Sequence, residues 1–205
     1  MSTFRIGQGV DVHPFSEDPD RPLIIGGEIL PGPGLDGHSD ADLLAHAIAD
    51  ALLGAAGLGD IGQRFPDTDS SFSNANSVEL LKNVIELLDG EGWEICNVDC
   101  NVILEVPKLS SYKNSIQDRL SKILNAPVTV KGRRSEGLGF IGKGEGAACL
   151  AVALISKSLI RNVTIKAIQE AIKVRGGLRP YGITGLNKKG YQGIKLKVDK
   201  PYENY

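Results

Sequence analysis

Apolar positions along the chain alternate between two periods, one helical and one extended, and the two interleave. The Ala/Leu-rich run Ala41 to Ala56 predicts a helix beginning near Asp40, with Ser39 as its cap and Gly57 or Gly59 as its stop. Ser77 opens a second helix, Val78 to Leu88, in which Val78, Leu81, Ile85 and Leu88 recur at helical spacing before Gly90. A third, roughly Ser111 to Leu124, carries Ile116, Leu120, Ile123 and Leu124 on one side and ends before Pro127. Strand patterns fall at Leu23 to Ile25, at the alternating Val98, Cys100, Val102 and Leu104, and at Val128 to Lys131. The apolar stretch Ala147 to Ile155 reads as a buried strand. The order predicts a mixed α/β fold.

Composition narrows the class. The 205 residues are 41% hydrophobic, 23% charged and 5% aromatic, enough to bury one sizeable core with length left over. No apolar run reaches the roughly 18 residues of a membrane span, and the amino terminus lacks the pattern of a secretory or transit signal, so a cytoplasmic location is expected. Cys96, Cys100 and Cys149 form no zinc-type pairs and read as reduced thiols. The net charge of −2 hides a division. Residues 1–156 carry 22 acidic and 12 basic side chains, a net −10; residues 157–205 carry 3 and 11, a net +8. The acidic part is long enough for one domain, and the basic part, 157–205, reads as an appendage.

Candidate chemistry concentrates near the start. In an extended chain residues i and i+2 point the same way, so Asp11 and His13 converge. His46 lies inside the first predicted helix, with Asp50 one turn on and placed to hold its imidazole. Asp11, His13 and His46 would offer two nitrogens and one oxygen, a set that suits Zn²⁺ with a fourth position open. Equally, each histidine on its own can be a packed or hydrogen-bonded core residue. Gly37-His38-Ser39-Asp40 stands at the start of the same helix, where free amides favour an anion such as phosphate; the alternative is a plain helix cap. Downstream, Asp60-Ile61-Gly62 and Phe65-Pro66-Asp67-Thr68-Asp69 place three carboxylates in a polar loop suited to the hydroxyls of a polyol, or simply to turns.

The region Lys131 to Gly146 mixes six glycines with four cations and two glutamates. Glycines let amides approach phosphates, and Arg133, Arg134 and Lys143 would neutralise them. Glu136, a carboxylate among those cations, reads either as a ligand to Mg²⁺ or Mn²⁺ bridging phosphate oxygens or as half of a surface ion pair.

The motifs DVHPF, GHSDADLLAHAIADALLGAAGLGDIG, FPDTD, the PK of VPKL, and SEGLGFIGKGEG, in this order, resemble the 2-C-methyl-D-erythritol 2,4-cyclodiphosphate synthase family of the non-mevalonate isoprenoid pathway. The resemblance spans about residues 4–156 and leaves 157–205 outside it. It implies a homotrimer of ferredoxin-like α/β subunits, helices on one face of the sheet, with active sites between subunits. The implied substrate is a cytidyl diphosphate, 4-diphosphocytidyl-2-C-methyl-D-erythritol 2-phosphate, cyclised with loss of CMP.

On that resemblance Asp11, His13 and His46 hold Zn²⁺, and Glu136 holds a second divalent ion, Mg²⁺ or Mn²⁺, through substrate phosphates. His38 and Ser39 meet the 2-phosphate; Asp60, Ile61, Gly62, Phe65 and Asp67 form the methylerythritol pocket; Pro107, Lys108 and Leu109 accept cytosine. Asp11, His13, Arg133, Arg134, Glu136, Phe140 and Lys143 complete the implied substrate contacts, with His38 and Arg134 as the catalytic pair.

Two departures stand out. Where the family usually reads Lys-Ala-Thr-Thr-Thr/Ser-Glu, this chain has Lys131-Gly132-Arg133-Arg134-Ser135-Glu136, so a threonine that steadies the reacting phosphate becomes the longer Arg134. Lys143 replaces the family's common arginine in a motif that lines the trimer's central cavity. In the basic tail, Ile160 to Val174 predicts an amphipathic helix and Lys195 to Val198 a short strand; its charge could draw RNA or another acidic surface.

Overall fold

In the computed structural model, which describes residues 2–66, 68 and 75–158, the strands are β1 (Ser2–Pro14), β2 (Pro22–Ile25), β3 (Glu28–Pro33), β4 (Glu94–Ile103), β5 (Val128–Arg133) and β6 (Gly146–Ser158). The helices are α1 (Leu43–Ala56), α2 (Ile61–Arg64), α3 (Ser77–Gly90), α4 (Lys113–Leu124) and α5 (Gly139–Gly142). Four strands form one sheet in the order β1-β6-β4-β5; β6 is antiparallel to both neighbours, and β4 and β5 run parallel through α4. β2 and β3 make a separate hairpin.

Alternation decides which face is covered. Val98, Cys100 and Val102 of β4, Val128 and Val130 of β5, and Ala147, Cys149, Ala151, Ala153 and Ile155 of β6 are buried, in one core with Leu44, Ile48 and Leu52 of α1 and Ile116 and Leu120 of α4. On β1 the inward positions include Gly7 and Gly9. A Cβ on either would collide with the carbonyl of Ala51 or Ala47, so these two glycines let α1 lie directly on the strand. The opposite face stays open and apolar: Phe4, Ile6, Val10, Val12 and Val152 are 62%, 73%, 53%, 48% and 45% exposed.

Within the described residues the predicted helices and strands are present, with shifted ends. α1 starts at Leu43, not near Asp40, and its cap is Asp42, not Ser39. Asp42 prevails because its buried carboxylate accepts from Leu44 and Ala45 at 3.1 Å and also from Gly26 and Gly27, at 2.8 and 2.6 Å, in the β2–β3 turn. Gly57, at φ 74°, ends the helix as expected. The third helix begins at Lys113, after a 3-10 turn at Leu109–Ser111. Ala147 to Ile155 is indeed strand. The predicted tail elements, Ile160 to Val174 and Lys195 to Val198, lie outside the described residues.

Candidate active site

At the carboxyl end of β1, Asp11 and His13 face α1. Asp11 Oδ2 lies 3.0 Å from His13 Nε2 and 3.2 Å from His46 Nδ1, and the three ligand atoms fall within 4.8 Å of one another. Both imidazoles are fixed from behind. His13 Nδ1 sits 2.6 Å from the Asp36 carbonyl, which can only accept, so this nitrogen carries the proton. His46 Nε2 is 2.7 Å from Ser77 Oγ and 3.1 Å from Ser39 Oγ, while the Ser77 hydroxyl donates to Asp40 and so presents its oxygen to the ring. Each histidine therefore turns a lone pair toward the Asp11 carboxylate.

Acceptors facing acceptors call for a cation. His13 Nε2 is buried, and with the ring proton held on Nδ1 it has none to donate to Asp11, the disposition of a metal-ligand atom. This donor set fits Zn²⁺ or a similar ion. Burial pushes the Asp11 carboxyl up, but the close approach of the His13 and His46 imidazoles outweighs burial and holds it well below the usual carboxylate range.

The surroundings correct two expectations. Asp50 does not hold His46; its carboxylate accepts the Ile61 N–H at 2.8 Å, anchoring α2 to α1. Of the α1 amino-terminal amides, those of Leu44 and Ala45 are taken by Asp42 and so do not face an anion. Residues 37–39 are shaped instead by Arg21, a residue sequence reasoning passed over, whose guanidinium donates to the carbonyls of Leu35, Gly37 and Ser39 at 2.5, 3.0 and 2.5 Å.

A cavity of about 350 Å³ opens over the triad, lined by Asp11, His13, His38, Ser39 and His46 together with Ile61, Gly62, Phe65 and Leu80. Asp60 caps α2 through the Gln63 N–H, at 2.8 Å, and is not among the lining residues. Asp67 lies outside the described residues.

A second cavity, of about 300 Å³, sits at the carboxyl ends of β4 and β5. Its floor is Val102, Leu104 and Leu109; Lys108, Lys113, Lys131, Arg133 and Arg134 supply cations. Glu105 spans its edge. Its carboxylate accepts from Ser135 N and Oγ at 2.6 and 2.9 Å and from Arg134 Nε at 3.1 Å. Glu136 follows in the left-handed region at φ 54°, with no other acidic, histidine or cysteine pair forming a metal cluster beside it among the described residues. Pro107, Phe140 and Lys143 line neither cavity.

A family model described as the YgbB family matches residues 4–156, nearly the whole of the described region. The chain belongs to the YgbB family. Within that family it is 54% identical over 157 residues to 2-C-methyl-D-erythritol 2,4-cyclodiphosphate synthase of Enterococcus faecalis, covering 75% of this chain and 99% of that one. The synthase of the same name from Geobacillus kaustophilus is 52% identical over 159 residues, with 76% and 99% covered. Among solved structures, the bifunctional IspDF of Campylobacter jejuni superposes at a TM-score of 0.73 with 42% identity, over 77% of this chain and 43% of that one. The Plasmodium falciparum IspF CDP complex superposes at 0.66 with 36% identity, over 76% and 97%.

Where the YgbB chain departs from its family motif, Arg134 pairs with Glu105; Lys131, which matches the motif, pairs with Asp99 at 2.6 Å. Arg21, Leu80 and Glu105 were not singled out from sequence, and Asp40 and Ser77 were read only as residues at helix starts. Their signals, an arginine before a loop, a serine opening a helix and a carboxylate before Val-Pro, are individually ordinary.

Proposed function

We propose that this protein is a 2-C-methyl-D-erythritol 2,4-cyclodiphosphate synthase. It converts 4-diphosphocytidyl-2-C-methyl-D-erythritol 2-phosphate to the 2,4-cyclodiphosphate, releasing CMP, in isoprenoid precursor synthesis. The observation that carries this reading is the convergence of Asp11 Oδ2, His13 Nε2 and His46 Nδ1 at one point on the wall of a polar-rimmed cavity. The identity to relatives of that name, across nearly their whole length, supports it.

The chemistry is an internal displacement: a 2-phosphate oxygen attacks the β-phosphorus and the bond to the CMP oxygen breaks. The nucleophile is already anionic, so positioning and charge stabilisation do the work without a strong base. Asp11, His13 and His46 would hold Zn²⁺, which supplies Lewis-acid polarisation of a phosphate oxygen when bound. Glu136 would hold Mg²⁺ or Mn²⁺ together with substrate phosphates. His38 and Arg134 serve as phosphate contacts, Ile61, Gly62 and Phe65 with Leu80 enclose the polyol, and Lys108 and Leu109 flank the base.

The assembly reading is a homotrimer. The triad cavity lies at the β1 edge and the cationic cavity at the β5 edge, three strand spacings or about 14 Å apart, and the two share no lining residue. A substrate joining polyol to nucleotide is best served when the β1 edge of one copy meets the β5 edge of the next, and the open apolar sheet face supplies a surface for that contact. Helices on one face of a four-stranded sheet, with β6 inserted between the parallel β1 and β4, match the split βαβ half of the ferredoxin-like reading, whereas the parallel β4–β5 pair joined through α4 departs from its β-α-β-β-α-β order. On this reading residues 1–156 are the catalytic domain, 157–205 are a basic extension, and the enzyme works in the cytoplasm.

The test is incubation with the cytidyl substrate and Mg²⁺. CMP with a cyclic diphosphate is expected. CMP with a linear diphosphate would replace this reading with a metal-dependent hydrolase, and no release at all would leave a binding protein.

A further inference from the structure

Arginine in place of threonine at position 134 raises a steric question, because a long flexible cation does not by itself occupy a hydroxyl's position. Glu105 answers it. This carboxylate stands just after β4, on the segment that leads to Lys108 and Leu109, and reaches the loop after β5 that carries Arg134 to Glu136. It makes three hydrogen bonds there, two to Ser135 and one to Arg134 Nε. One residue thus ties together both walls of the cationic cavity.

Using Nε as the anchor leaves the two Nη groups outside that bond, and these are the groups that grip phosphate oxygens side by side. The anchor also limits the rotamer freedom that an exposed arginine would otherwise have. The Ser135 arms fix the backbone one residue before Glu136, whose left-handed conformation requires its neighbours to be held. The hydrogen bonds from Ser135, followed by the contact with Arg134, hold the Glu105 carboxyl below its ordinary range, consistent with a carboxylate engaged by all three donors.

We infer that Glu105 is the positioning residue that converts Arg134 into this enzyme's contact for the reacting phosphate, so that the two side chains together replace the family threonine. The inference rests on the cyclodiphosphate synthase reading.

Glu105→Gln separates the two arms. An amide oxygen still accepts from Ser135, but its NH₂ faces the Arg134 Nε–H, donor against donor, and releases the guanidinium. Steady-state kinetics on the cytidyl substrate are measured for wild type, E105Q, R134T and the double variant, with thermal melts as a check on folding. E105Q is expected to lower kcat by roughly 10- to 100-fold in the wild-type background, the usual cost of a misplaced contact, and by less than about 3-fold in R134T. An equal loss in both backgrounds, no loss in either, or a rise in KM with kcat intact would overturn the inference. Independently of turnover, the Arg134 Nε–H resonance in ¹⁵N spectra should exchange slowly in wild type and fast in E105Q. Fast exchange in both would remove the anchor, whereas a wild type that releases no CMP would instead overturn the functional reading and the catalytic part of the inference with it.

Discussion

His46 Nε2 lies 2.7 Å from Ser77 Oγ, and that contact, made between α1 and the first residue of α3, decides which nitrogen His46 turns toward Asp11. Ser77 donates its own proton to Asp40, so its oxygen accepts from Nε2 and Nδ1 keeps a lone pair. Ser77→Ala removes this support while leaving the three ligands intact. The variant should bind Zn²⁺ about 10- to 100-fold more weakly, the usual cost of losing such a partner, in a competition titration against a chromophoric chelator. Ser77→Thr, which keeps the hydroxyl, should recover most of the affinity; equal Zn²⁺ binding by wild type and Ser77→Ala would refute the role.

How far the site was legible follows from where each partner sits. Asp11 and His13 were readable because period two puts them on one side of a strand, and His46 because the chain's three histidines crowd into its first fifty residues. The group behind His46 was not. Asp50 is the local choice at one helical turn, but it turns to the Ile61 amide, and the partner used comes from 31 residues downstream. The cap of α1 failed similarly. Ser39 and Asp42 are both competent, and the choice falls to Asp42 through the amides of Gly26 and Gly27, which no local pattern announces.

The approach of α1 to β1 carries a second prediction. His46 lies on α1 and Asp11 on β1, so the distance between them depends on Gly7 and Gly9, whose missing Cβ atoms leave room for the Ala51 and Ala47 carbonyls. Gly9→Ala must push the helix off the strand. It should destabilise the fold by about 1–3 kcal/mol or more and weaken Zn²⁺ binding as well, since the ligands separate. Urea unfolding and the same chelator titration read both effects, and a variant with wild-type midpoint and affinity would contradict the packing argument.

The open sheet face makes a third. Ile6 and Val10 protrude from β1 with no cover among the described residues. If copies of the chain meet there, Ile6→Glu with Val10→Glu places charges in a contact that needs apolar surface. The double variant should run as a monomer in light scattering after gel filtration and lose at least about 100-fold in turnover, because on the trimer proposed above each site draws an edge from two copies. Its folding is checked by far-ultraviolet circular dichroism. A variant that keeps the wild-type mass would remove this face from the assembly.

The buried thiols give a prediction about pH. Burial, reinforced by the Asp99 charge and opposed by Lys131, pushes Cys100 up to about 12 from an ordinary 9.0; burial also raises Cys149. Neither can ionise readily while folded, so at pH 8 a thiol reagent should label Cys96, which is partly exposed, well before the other two. Above pH 9 the unfolded chain gives up these protons and the folded chain keeps them. The unfolded state then binds fewer protons, so stability falls as pH rises, by up to about 4 kcal/mol for Cys100 across the full interval. Cys100→Ala with Cys149→Ala removes both groups. Its urea-unfolding free energy should therefore fall less steeply than wild type between pH 9 and 11, and parallel slopes for the two proteins would mean that the thiols do not set the alkaline limit.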